Sequence, residues 1–128
     1  MSKDFVPHQE ALELKELGFD EPCFGYYEPN GELDYIENHI LKDFPYLAKN
    51  SEWQDLVAAP LYQQTFRWFR EKYNLDHEIN KHKNFESFMC RYGQNGLYEI
   101  IEEGIETYEE AELACLKKLI QIVKENKQ

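Results

Sequence analysis

Between Pro60 and Tyr73 the aromatic rings recur at the spacing of a helix. At about 100° per residue, Tyr62, Phe66, Phe69 and Tyr73 fall on one stripe, with Leu61, Thr65 and Trp68 beside it. Gln63, Arg67, Arg70 and Asn74 fall on the opposite face. Such a helix is stable only when its stripe is buried, so the chain must build a packing surface wide enough to receive rings. Other segments supply candidates for that surface. Phe88, Cys90 and Tyr92 alternate on one face of a strand predicted over 85–92, and Gly93-Gln94-Asn95-Gly96 turns the chain into a second strand over 97–102. His77–Lys81 is a further candidate strand, and together these read as an antiparallel meander.

Two more helices and a hairpin complete the expected fold. Pro7 opens a helix in which Ala11, Leu14 and Leu17 share a face, and Gly18 stands at the left-handed C-cap position. Thr107 and Glu110 form a capping box for a last helix from Tyr108 to about Lys124, apolar over more than half its circumference. The runs Cys23–Tyr27 and Glu32–Ile36 flank Pro29-Asn30-Gly31 and read as a β-hairpin. Ser51 and Gln54 fit a capping box, predicting a short helix over 52–58, and Phe44-Pro45-Tyr46 reads as a loop. No repeat or Gly/Ser linker divides the 128 residues, so we expect one α+β domain with an antiparallel sheet packed on two or three helices. The helices over 60–73 and 108–124 should cover one face of that sheet.

Composition narrows the class of partner. The net charge is −11, distributed as −9 over residues 1–60, +2 over 61–95 and −4 over 96–128. A body of that charge repels nucleic acid and anionic lipid, so we expect neither as a partner. Mimicry of nucleic acid by the acidic first half is a weaker alternative. Three cysteines at wide spacing, Cys23, Cys90 and Cys115, fit reduced thiols of a cytoplasmic protein better than a disulfide framework. The N-terminus shows no signal-peptide pattern, and no run approaches the length of a membrane span.

The phrases Leu17-Gly18-Phe19-Asp20-Glu21-Pro22-Cys23-Phe24, Ala59-Pro60-Leu61-Tyr62-Gln63-Gln64, Phe66–Tyr73 and Tyr108–Ile120 resemble a group of short uncharacterised proteins of bacteria, phages and prophages. The resemblance spans residues 5–124 and is weakest from Asp76 to Glu106. It implies an accessory intracellular protein and carries no activity, cofactor or site residue with it.

No cysteine–histidine pair has a selecting context, and Cys115 falls on an apolar helix face, where a thiol packs. His77 and His82 are poorly spaced for a shared metal on either a strand or a helix. Asp20 with Glu21, or Glu99, Glu102, Glu103 and Glu106, would matter only if they converged in a cleft. No phosphate-binding glycine loop or hydrolase motif is present in the sequence. We therefore expect no catalytic residue, no metal and no cofactor. The candidate binding residues are Arg67 and Arg70, in the net-positive middle segment, for a phosphorylated ligand, and Tyr26 and Tyr27, one of which should lie at a strand's exposed rim. A protein partner is the first expectation, and a small-ligand or nucleotide binder or enzyme using the basic segment is the second. Purified protein is expected to contain no stoichiometric zinc and to keep its stability in chelator; about one metal per chain by elemental analysis, with unfolding on chelation, would overturn that expectation.

Overall fold

A computed structural model of the chain describes residues 2–35, 47–52, 55–81 and 86–126. The fold is α+β, with three α-helices and two three-stranded antiparallel sheets among the described residues. The chain divides into two compact units, Met1–Tyr62 and Gln63–Gln128. The strands are thus split between two sheets, where a single sheet was expected.

In the first unit, helix α1 (His8–Glu16) starts after Pro7 and ends at Gly18. Gly18 has φ 96°, and its N–H donates to the Lys15 carbonyl (3.1 Å) while that of Phe19 donates to Leu14 (2.9 Å). This double bond is the Schellman arrangement, which only a residue free to adopt positive φ closes cheaply. Leu14 and Phe19, the flanking pair, are both buried. Strands β1 (Gly25–Tyr27) and β2 (Leu33–Tyr35) form the expected hairpin. Gly31 (φ 87°) closes the turn by donating to the Glu28 carbonyl, 2.8 Å, and the Asn30 side chain accepts from Glu32 N–H, 2.9 Å. Gly25 is required by close approach: a Cβ there would stand 2.7 Å from the Phe5 ring.

Among the described residues of 52–58 the predicted helix is not formed. Residues Val57–Ala59 are instead strand β3, paired antiparallel with β1 so that Tyr26 faces Ala58, and all three are buried. Side chains of the preceding loop hold this arrangement. Asn50, itself buried, donates to the Phe19 carbonyl (2.8 Å) and accepts from Ala58 N–H (2.9 Å), satisfying two backbone groups from one amide. Ser51 N–H donates to Asp20 rather than entering a helix. The cap partner Gln54 and the loop Phe44-Pro45-Tyr46 lie outside the described residues.

In the second unit, α2 (Tyr62–Tyr73) is followed directly by the meander β4 (Leu75–Lys81), β5 (Phe88–Gln94) and β6 (Leu97–Ile105), then α3 (Tyr108–Asn126). Asn74 (φ 56°) makes the junction between α2 and β4 in one residue, a conformation Asn tolerates better than most. Only Asn95-Gly96 is the hairpin turn, both at positive φ, while Gly93 and Gln94 belong to β5. Directly paired residues share a sheet face, so His77, Ile79 and Lys81 lie with Tyr92, Cys90 and Phe88. That is the face both helices take. Phe66 of α2 stacks on His77 at 3.7 Å between centroids, Tyr108 of α3 meets Phe88 edge-on at 5.9 Å, and Lys118 lies over Tyr92. Thr107 caps α3 by accepting from Glu110 N–H, 3.1 Å.

The α2 stripe is inside, as its period required: Tyr62, Thr65, Phe66, Trp68 and Phe69 are buried and Tyr73 half-buried, while Gln63, Arg67, Arg70 and Asn74 are exposed. Phe66→Ala should therefore cost about 3–5 kcal/mol in denaturant unfolding. A loss below about 1 kcal/mol would mean that the ring is not a structural contact.

Candidate functional site

The four candidate binding residues divide between the two units. Tyr27 is buried, and its hydroxyl donates to the Val6 carbonyl at 2.8 Å, so the ring and its polar tip both serve the core. Tyr26 is half-buried on the other face of β1, directly opposite Asp34 of β2. Burial, then the charges of Asp34 and Glu28, raise its phenol above the usual tyrosine range. Its surroundings are acidic and unsuited to an anionic ligand.

Arg67 and Arg70 are exposed on α2. Arg67 lies 3.6 Å from Glu71, one turn on. The remaining cations of the middle segment are mostly engaged by its own side chains. Lys72 stands over the Trp68 and Tyr73 rings (5.2 and 5.7 Å), and Lys81 stands over Phe88 (5.0 Å). Arg91 bonds Glu78 and covers the Tyr98 ring. Lys83 lies outside the described residues. Among the described residues Lys72, Lys81 and Arg91 are thus in separate local contacts, while Arg67 and Arg70 stand one turn apart on the exposed face of α2.

All three cysteines are buried and none forms a disulfide. Cys90 and Cys115 adjoin each other between β5 and α3, and burial raises both above the usual thiol range, opposite to what a nucleophile needs. Asp20 is occupied by Ser51 N–H at 2.7 Å, with Lys49 at 3.9 Å. Among the described residues no group of three or more His, Cys, Asp or Glu side chains is arranged to hold a metal ion. His82 lies outside them. No described helix is long and apolar enough to cross a membrane.

What the sequence reading missed is the edge of the second sheet. The strand order β4-β5-β6 leaves the outer side of β6 without a neighbouring strand among the described residues. Leu97, Tyr98 and Ile100 are 77%, 41% and 56% exposed there. Tyr98 is fixed: its ring lies across Gly93, where a Cβ would come within 2.3 Å, and Arg91 covers it at 5.6 Å. The alternation of residues 97–102 was legible as a strand, but nothing in it distinguishes an edge from an interior position. Beside β6, a groove of about 380 Å³ runs between the strand and α3, with Ile101, Ile105, Leu113 and Ala114 forming its apolar lining and Glu102 and Lys117 among its polar groups. No family model, curated protein or solved structure matches this chain.

His77 provides a test of the geometry. Burial, and secondarily the nearby Arg70 charge, lower its pKa from the ordinary 6.5 to about 4. Because the folded value is below the unfolded one, the unfolded state binds more protons between the two, and stability falls as pH drops from about 6.5 to 4. The loss assigned to this ring should be on the order of 1–3 kcal/mol, allowing for its partial exposure. In urea titrations across that window, the His77→Phe variant should show a correspondingly shallower loss than the parent. Identical pH profiles would place His77 in solvent.

Proposed function

We propose that the protein is a non-catalytic accessory module that acts by binding another protein, of the kind carried by bacteria and their phages. The observation that supports this reading is the exposure of Leu97, Tyr98 and Ile100 along the outer edge of β6, beside which no described strand lies. A single exposed leucine is ordinary, but Tyr98 and Ile100 project from the same face of an edge strand, with Leu97 exposed on its other face beside the turn, so both faces of that edge offer apolar contact. Rigid aromatic side chains are common anchors at interfaces. Here Tyr98 is pre-positioned between Arg91 and Gly93, so little side-chain freedom is lost when it is covered.

Immobilised protein should retain a specific component of a bacterial extract. The Ile100→Lys variant should lose it with its circular dichroism unchanged, whereas the Arg67→Glu, Arg70→Glu double variant should keep it. In parallel, a nucleotide panel should leave the melting temperature of the parent unchanged. A saturable nucleotide-dependent rise, lost in the double arginine variant, would overturn the proposal in favour of a phosphate-ligand binder.

A further inference from the structure

Resting on that reading, we infer that the partner presents an extended segment of alternating basic and apolar residues, which adds to the second sheet as a fourth strand along β6. The regular part of β6 runs from Leu97 to Ile100, between the Asn95-Gly96 turn and the register shift at Ile101, opposite Cys90 and Arg91. An edge strand offers a row of backbone donors and acceptors on its outer side, and strand addition satisfies them in register.

The side chains set what kind of strand fits. Tyr98 and Ile100 pair with Gly93 and Arg91, so they lie on the face away from the helices. Glu99 pairs with Tyr92 and accepts its hydroxyl, and Glu102 pairs with Cys90, so both carboxylates lie on the helix-covered face. Side chains of an added strand alternate in the same way. Those on one face meet Tyr98 and Ile100 and should be apolar. Those on the other meet Glu99 and Glu102 and should be basic, with Glu110 further along the groove. From Leu97 to Glu110 the chain has six carboxylates and no basic residue. Lys117 and Lys118 of α3 also line the groove, but Lys118 is held over the Tyr92 ring, 5.6 Å from its centroid.

The same charges disfavour a second copy of this chain as the occupant. Antiparallel pairing of two β6 strands along the regular run, centred on Glu99, would set Glu99 directly against the Glu99 of the copy. Like charges directly opposite are destabilising, and each body carries −11.

The test uses labelled peptides with the full chain. An alternating Lys/Val octapeptide should bind saturably and protect the amides of 97–100 from hydrogen exchange, while a Glu/Val octapeptide should not bind. Replacing two valines of the basic peptide by proline, which keeps its charge but removes backbone donors, should weaken binding at least about tenfold. Ile100→Lys and Glu102→Lys should each do the same, both being exposed positions where a folded chain is expected. Equal binding of the proline peptide would reduce the effect to charge alone and overturn strand addition. So would absence of binding by the Lys/Val peptide, or a dimer by light scattering that Ile100→Lys dissolves. If the peptide fails while Ile100→Lys still abolishes capture from extract, the binding module stands and only the partner class is wrong.

Discussion

A three-stranded sheet has two faces and two edges to satisfy, and in the second unit both helices pack on the same face. The ring stripe of α2 and the wide apolar face of α3 require that arrangement, since Phe66 needs the His77 ring and Phe88 needs Tyr108. Once one face takes most of the apolar area, the other must be made tolerable to water by local pairing. Glu78 with Arg91, and Arg91 over Tyr98, do this on the far face. Cross-strand contacts of that kind contribute only about 0.2–1 kcal/mol each. They organise the face without closing it, and β6 is left at the edge with its apolar residues uncovered.

The parts of this fold that were legible in the sequence are those decided by neighbours in sequence. Gly18 ends α1 because Lys15 and Leu14 supply the carbonyls within one turn. Gly31 closes its hairpin on Glu28, three residues back. The rings of α2 announce their own period. Strand β3 was not legible, because Val57-Ala58-Ala59 is buried on both sides and shows no alternation, and its partner β1 lies about thirty residues earlier. Asn50 stabilises it by reaching Phe19 and Ala58, a pairing that no local pattern encodes. The competing signal, Ser51 as a helix cap, lost because Asp20 occupies the Ser51 amide.

The candidate site was legible only in part, for a related reason. Alternation placed Tyr26 and Tyr27 on opposite faces, but which one reaches the core depends on the Val6 carbonyl, twenty-one residues away. Counting Lys and Arg identified a basic middle segment, yet charge in a sequence window says nothing about where each head group settles. Rings and carboxylates of the same unit engage Lys72, Lys81, Arg67 and Arg91 separately. Three of its cations, Lys72, Lys81 and Arg91, stand over aromatic rings of the same unit. The exposure along β6 was invisible because Leu, Tyr and Ile read the same in a covered strand as in an edge strand.

Charge gives that edge its selectivity. An exposed strand carrying Leu97, Tyr98 and Ile100 would ordinarily invite its own copies, and proteins blunt such edges with charges and bulges. Both devices are present here, as Glu99, Glu102 and the register shifts opposite Cys90. Repulsion between identical edges grows with each carboxylate, whereas attraction for a basic strand grows with the same carboxylates. The groups that suppress self-pairing therefore widen the gap between the wrong occupant and a complementary one, which is how specificity arises as a difference of affinities. The regular run before the bulge is only four residues long, Leu97–Ile100, so backbone pairing alone offers few bonds. Recognition along so short an edge has to draw on the side chains at Tyr98, Ile100 and Glu99 as much as on the strand itself.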